Sequence, residues 1–522
     1  MSGKTESTNR ARPTADRESI VPELSRSSSL DISDEAIAEL SSKVNELVLE
    51  YFAQVSGLPV FPQTAAGKTI ELIGAELPTE GQPLEELLTD CRTILKGSRH
   101  NGHPRCFGYV ASPGTAAGAY ADLLASTLNA NVTSWRSTPS ATEIERTVVR
   151  WLGSMIGFSE NAQGLLTSGG SMANMTALLI AQRTRSEGDI AHRGLWNTRS
   201  PMTIYASDEI HMSIPKAADI LGFGREQVRT VPADHRSRMN VSLLRERVQK
   251  DLRDGLTPFC VVGSSGTVST GAVDPLSEIA DLAEEFGLWF HVDGAYGAPG
   301  SLDESKRSLF KGIERADSVS LDAHKWLYVP MDAGCLLFRD AAAARAAFSA
   351  NEADYIKVHE ADADEAFAFW DYGMELSRRF RALKIWMTLR YYGVRRLAEA
   401  ISDDNSLAAY LAERVTEAED FELLAPVELS ICCFRYVPAN LKARLDAMSE
   451  AEREPLEVEV DELNTRLMQL VQRGGQAYVS NANIRGRFAL RACITNFRTT
   501  RADIDRTLEI IREAARGFLG EV

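Results

Sequence analysis

Apolar positions change their rhythm along the chain, and each change predicts a different kind of structure. From Asp31 to about Arg99 they recur at helical spacing, in Ile37, Leu40, Val44 and Leu47 and again in Leu84, Leu87, Leu88 and Ile94, which predicts amphipathic helices. From about Asn101 to Gly393, short apolar runs alternate with amphipathic stretches, the pattern of an α/β domain with a mostly parallel sheet. The predicted strands are Gly164–Thr167, Met202–Ala206, Phe259–Val262, Trp289–Val292, Ser318–Leu321 and Gly334–Phe338, with helices such as Met172–Arg183 and Leu276–Phe286 between them. Beyond about Leu397 the pattern gives another helix, strands near Ser430–Tyr436 and Arg487–Ile494, and a final helix from about Arg501. The expected organisation is a tail over 1–30, a helical segment over 31–100, a large domain over 101–395 and a small α+β domain over 396–522.

Composition narrows the function classes. A chain of 522 residues holds more than one small fold. Its first thirty residues are polar and lack an apolar core segment, so they read as a disordered tail and not a signal peptide. No apolar run is long enough to span a bilayer. The formal charge of -16 sets up a field that repels nucleic acid and anionic membranes. The densest basic group, Arg378, Arg379, Arg381 and Lys384, is interleaved with Phe380, Leu383 and Trp386 at helical spacing, which is an amphipathic helix before it is a nucleic-acid patch. Seven cysteines without a CxxC pair predict neither a disulfide framework nor a metal site, and a reduced, cytoplasmic location.

Four local features carry candidate chemistry. Lys325, in Asp322-Ala323-His324-Lys325-Trp326, follows a predicted strand and falls at the carboxyl edge where α/β sheets bind ligands. A lysine partly withdrawn from water can form a Schiff base, although a single loop lysine would ordinarily be just solvated. Asp293 ends the apolar run Leu288–Val292, and a carboxylate there needs a cationic or hydrogen-bonding partner, which a protonated pyridine nitrogen would provide. Without such a ligand it would cap the next turn. The stretch Thr167-Ser168-Gly169-Gly170-Ser171-Met172-Ala173-Asn174 joins a strand to a helix and has the form of a phosphate site; it lacks the lysine of a Walker loop and does not match GxGxxG. His211 follows the strand Met202–Ala206, where a flat ring could stack on a cofactor.

The order phosphate loop, histidine, aspartate, lysine resembles the group II decarboxylases that use pyridoxal 5'-phosphate (PLP), the family of aromatic-L-amino-acid, glutamate and histidine decarboxylases, with the aspartate aminotransferase-like fold type I. The likeness extends to His103-Pro104, Thr142-Glu143-Ile144-Glu145 and Arg378–Lys384. The resemblance implies that Lys325 holds the cofactor, Asp293 pairs with the pyridine nitrogen, His211 stacks on one ring face and Ala295 touches the other. It gives Gly170, Ser171 and His324 to the phosphate and adds Asp322 and Thr267 to the cofactor's surroundings. Tyr355 falls where the family has a mobile-loop tyrosine that returns a proton to the substrate carbon after CO2 leaves. Tyr109, Val110, Ser112, Asn131, Thr133 and Arg491 fall at positions near the substrate or cofactor. A homodimer built partly by the N-terminal helices is implied as well.

Three positions depart from better-known relatives: Asp322 where Asn is frequent, Gly294 where Ala is common, and Val268 where the aromatic-acid enzymes carry Thr. The expected reaction is decarboxylation of an L-amino acid to its amine, with an aromatic substrate favoured. Polar Asn131 and Thr133 keep small, branched and acidic substrates open. Two rivals remain: an oxidative aldehyde synthase or other fold type I PLP enzyme, and a catalytically silent binding protein. Tyr355 argues against the first rival and the pair Lys325 and Asp293 against the second.

Overall fold

The computed structural model describes residues 30–74, 76–348, 364–449 and 452–519. Among these residues two sheets form. The larger contains β1 (Gln163–Thr167), β2 (Met202–Ser207), β3 (Val228–Val231), β4 (Thr257–Ser264), β5 (Trp289–Asp293), β6 (Ser318–Asp322) and β7 (Gly334–Phe338). Their spatial order is β1-β7-β6-β5-β4-β2-β3, and β7 alone runs against the rest. Strands β2, β5, β6 and β7 are buried at every position, which is why they appear in the sequence as continuous apolar or small runs without alternation.

Helices cover this sheet and complete its core. The helix Gly170–Arg185 buries Ala173, Ala177, Leu178, Ile180 and Ala181, while Leu276–Phe286 buries Leu276, Ile279, Ala280, Leu282 and Ala283. Both helices span the predicted segments. A long helical run, Ala382–Glu417, is broken at Gly393, whose φ of 75° is foreign to a right-handed helix. The helix predicted from about Leu397 lies just beyond this break.

The smaller sheet consists of β8 (Phe421–Leu423), β9 (Ile431–Tyr436), β10 (Ser480–Ile484) and β11 (Arg487–Cys493), all antiparallel in the order β10-β11-β9-β8. The helix Arg501–Leu519 closes the chain. Strands β3, β8 and β10 were not foreseen: β3 and β8 have only four and three residues, and β10, Ser-Asn-Ala-Asn-Ile, alternates buried and exposed positions with almost no apolar contrast.

The described residues form two compact units, one of those up to Ala53 together with Thr79–Arg92 and one of those within Gln54–Pro78 and from Thr93 onward. Both sheets belong to the second. In the first, the helix Asp34–Gln54 has no buried residue and carries Lys43, which pairs with Glu85. No helix among the described residues is long and apolar enough to cross a membrane.

Candidate active site

Strand register brings the chemistry together. In the parallel pair β5 and β6, His291 lies beside Ser318 and Asp293 beside Ser320, so Asp293 and the turn after Asp322 leave the sheet at the same edge. Gly334 of β7 pairs with Asp322 on one side and Thr167 on the other, which sets the loop after β1 next to the lysine-bearing turn. The fit is close: a Cβ on Gly334 would come within 2.4 Å of the Gly169 Cα, so only glycine allows this approach.

Lys325 sits in the short helical turn Ala323–Trp326 directly after β6. The next residue anchors the turn. The Trp326 ring is buried, stacks on Tyr296 at 5.1 Å, and donates its indole N–H to Asp404 Oδ2 at 2.9 Å. The Lys325 side chain remains 22% exposed, and its Nζ lies 3.0 Å from Asp322 Oδ2. The acid that departs from the usual asparagine is therefore the counter-charge of this lysine, and its Oδ1 is buried without a hydrogen-bond partner. His324 Nδ1 accepts from the Ala333 N–H at 3.1 Å, and its Nε2 lies 3.7 Å from the same Asp322 Oδ2; burial lowers its pKa below the ordinary histidine value.

Asp293 is 8% exposed and well supplied with donors. Its Oδ2 accepts from Asn174 Nδ2 at 2.9 Å, while Oδ1 accepts from the Ala295 N–H and the Ser320 hydroxyl, each at 3.2 Å. Three neutral donors steady the carboxylate without neutralising it. His211 Nδ1 lies 2.8 Å from Ser213 Oγ, and burial lowers the imidazole pKa against the opposing pull of Asp293. Neutral imidazole suits a flat stacking neighbour better than a cation would, because it adds no repulsion toward a protonated ring.

The helix Gly170–Arg185 starts at the cavity; the N–H groups of Met172 and Ala173 donate to the Gly169 carbonyl at 3.0 and 3.1 Å, whereas those of Gly170 and Ser171 precede this first hydrogen bond of the helix. A Cβ at Gly170 would lie 2.8 Å from Ala295 Cβ and 3.0 Å from Asp322 Oδ2, so the glycine keeps open the gap between the helix start and the ends of β5 and β6. Small anions such as phosphate bind in this setting.

One cavity of about 540 Å³ joins these parts, a size suited to a cofactor with a small substrate. Its lining includes Gly170, Ser171, His211, Asp293, Ala295, Asp322, His324 and Lys325, together with Tyr109, Val110, Val268 and Arg491. These sequence-predicted residues share one space. PLP needs a lysine amine, an acid for its ring nitrogen, flat or small neighbours for its ring and N–H groups for its phosphate, and the cavity offers each.

Other predicted residues lie elsewhere. Ser112 donates to the His324 carbonyl at 3.0 Å, behind the cavity wall. Thr267 is buried in its own turn, bonded to Thr270 and the Ala272 N–H. Asn131 accepts from the Arg378 N–H at 2.7 Å and Thr133 pairs with Ser137 at 3.2 Å; neither lines the cavity of this chain. Tyr355 lies outside the described residues. Arg491 is engaged by protein groups: Nε donates to the Val268 and Ser269 carbonyls, and Nη1 to the Tyr109 carbonyl and Ser480 Oγ. Sequence reasoning missed Ser480, Asn481 and Ala482, which line the cavity from β10, because that strand itself was missed. It quoted Asn174 without giving it a task.

Residues 66–437 match the pyridoxal-dependent decarboxylase conserved domain. Over 94% of this chain and 97% of the relative, the sequence is 34% identical to an aromatic-L-amino-acid decarboxylase from Bacillus atrophaeus. It is 30% identical to a phenylacetaldehyde synthase from Petunia hybrida, covering 91% of this chain and 93% of that one. The crystal structure of Oryza sativa TDC with PLP and tryptamine superposes with a TM-score of 0.84 at 29% identity, over 93% of this chain and 99% of that chain. A domain match across most of the chain, relatives matched along nearly their whole length and a shared fold agree: the protein belongs to the pyridoxal-dependent decarboxylases, fold type I enzymes that use PLP to remove a carboxylate as CO2.

Proposed function

We propose that this enzyme converts an aromatic L-amino acid to its amine, with Lys325 as the residue that carries the cofactor. The observation that carries the reading is the single cavity shared by Lys325, Asp293, His211 and the start of the helix at Gly170. When bound, the cofactor supplies an electron sink for the pair left on Cα as CO2 departs. Asp293 keeps a proton on the ring nitrogen, His211 and Ala295 cover the two ring faces, and the N–H groups of Gly170 and Ser171 with His324 hold the phosphate. The Lys325 amine would be the group that holds the cofactor, with Asp322, 3.0 Å away, as its counter-charge. Tyr355 is the proposed donor of the proton that Cα receives.

An aromatic side chain is favoured by the aromatic and apolar rim residues Tyr109 and Val110 and by relatives named for aromatic amino acids. Incubation with PLP and each of the twenty amino acids plus dopa, with CO2 and amine measured, tests it; turnover confined to small or acidic amino acids would overturn the substrate class. A second reading, oxidative aldehyde formation, draws on the aldehyde-synthase relative, and aldehyde with hydrogen peroxide in place of amine would establish it. A homodimer belongs to the same reading, supported by Ile37, Leu40 and Val44, which stand 38–50% exposed at helical spacing. A monomeric mass in solution would refute it. Seven unpaired cysteines suit a cytoplasmic location.

A further inference from the structure

The reading of Asp293 and His211 as cofactor partners leaves open what fixes the protons on them, and the buried groups behind them answer that. Asn174, His291 and Ser318 are 0–1% exposed, Trp289 is 2% and Ser213 is 3%. They form one hydrogen-bonded line. Trp289 Nε1 lies 2.9 Å from Ser318 Oγ, Ser318 Oγ lies 2.9 Å from His291 Nδ1, and His291 Nε2 lies 3.0 Å from Asn174 Oδ1. The Asn174 amide nitrogen then reaches both Asp293 Oδ2 and Ser213 Oγ, each at 2.9 Å, and Ser213 Oγ reaches His211 Nδ1.

Chemistry leaves one arrangement of protons along this line. The indole N–H can only donate, so Ser318 accepts from it and has its own proton to give to His291 Nδ1. His291 is fully buried, and burial holds its pKa down to about 4, so the ring is neutral with one proton; the Asn174 amide, which must turn its N–H to the Asp293 carboxylate, presents only an oxygen to Nε2, so the proton is on Nε2. That proton goes to Asn174 Oδ1. The amide is thereby oriented: reversed, its oxygen would face the Asp293 carboxylate at hydrogen-bond distance, and two acceptors repel. Both amide protons are now assigned, one to Asp293 and one to Ser213. Ser213 gives its hydroxyl proton to His211 Nδ1, which also accepts from the Ser213 N–H at 3.2 Å. His211 therefore bears its ring proton on Nε2.

We propose that Asn174 is a positioning residue which, through the two N–H groups of one amide, holds the Asp293 carboxylate aimed at the cofactor's ring nitrogen and sets His211 as the Nε2–H tautomer. His291, Ser318 and Trp289 orient the amide from behind. Asp293 ends β5 and His211 lies in the loop after β2, more than eighty residues apart in the chain, and among the described residues the Asn174 side chain is bonded to one directly and to the other through one hydroxyl. This inference rests on the proposed cofactor roles of Asp293 and His211.

The test uses the full-length protein loaded with PLP labelled with ¹⁵N in its ring, together with ¹⁵N-histidine labelling, the His211 signals being assigned by their loss in His211→Gln. In Asn174→Leu, which keeps the volume and removes both donors, the cofactor's ring nitrogen should shift toward the unprotonated position. The His211 Nδ1 and Nε2 signals should change tautomer, and PLP affinity should fall about tenfold. Ser213→Ala cuts one arm, so it should change the His211 signals and leave the cofactor's ring signal in place. A merely structural role would lower stability and move neither signal. Unmoved resonances in PLP-loaded Asn174→Leu overturn the proposal, and so does an unmoved His211 signal in Ser213→Ala, a result that counts even if Asn174→Leu does not fold. Wild-type protein that takes up no PLP overturns the cofactor reading beneath the proposal, whereas a PLP-loaded wild type with unmoved variants overturns the proposal alone.

Discussion

At the floor of the cavity Asn174, Ser213 and Asp293 are 1–8% exposed and every one of them is held by other side chains, whereas at the rim Tyr109 is 56% and Val268 42% exposed. The two regions obey different rules. A buried polar group left without its partner costs about 1–3 kcal/mol, so each floor residue constrains the next and substitutions there compound. A rim residue meets water until substrate arrives, and its replacement disturbs only partly exposed contacts, such as those of Tyr109 with Tyr478 and Arg99. Cofactor chemistry can thus stay constant while substrate and outcome diverge, which agrees with relatives of about 30% identity named as decarboxylases and as an aldehyde synthase.

The comparison can be broken most severely at Lys325. Lys325→Ala should abolish multiple turnover, a loss of at least about a thousandfold, and remove the absorbance band near about 420 nm; retained turnover would assign the cofactor to another lysine. Asp293→Ala comes next, because it removes the anion facing the ring nitrogen. The expected loss in kcat is about a hundredfold, with a smaller change in KM, as befits a group needed more in the transition state than in the ground state. An equal rise in KM with kcat intact would make Asp293 a binding residue only.

The floor should also have its own pH signature. His291 is neutral in the folded protein down to about pH 4, while in the unfolded chain it takes up a proton near 6.5. Its contribution to stability is therefore complete above pH 6.5 and is lost as pH falls through the window toward 4, by about 3 kcal/mol in all. Melting temperatures measured across that window should fall more steeply for the wild type than for His291→Gln; parallel slopes would remove His291 from the account. The smallest effect belongs to the rim. Tyr109→Ala should raise KM for an aromatic substrate by roughly three- to tenfold, with the cofactor band and kcat almost unchanged. If it erased the cofactor band instead, rim and floor would not be separate.

Much of the molecule was legible before any coordinates. Fully buried strands such as Trp289–Asp293 and Gly334–Phe338 announce themselves as apolar runs, and helices such as Leu276–Phe286 announce themselves by spacing. Short edges were not legible: β3, β8 and β10 carry too few apolar residues to rise above loop composition, and with β10 went the part of the rim that it supplies. Asn131 and Thr133 were expected at the pocket wall from their place in the chain, but contacts to Arg378 and Ser137 hold them elsewhere.

The sequence by itself determined the fold class and the order of the loop at Gly170, His211, Asp293 and Lys325, because periodicity and residue type act locally and survive in one dimension; the cofactor followed from the resemblance of that order to a known family. Only the tertiary structure decided which side chains meet. Asn174 lies 119 residues from Asp293 and 117 from His291, and nothing in its immediate neighbours distinguishes it from any polar residue on a helix. Its role follows from strand register and close packing, which bring distant donors and acceptors within about 3 Å, where burial leaves them no other partner.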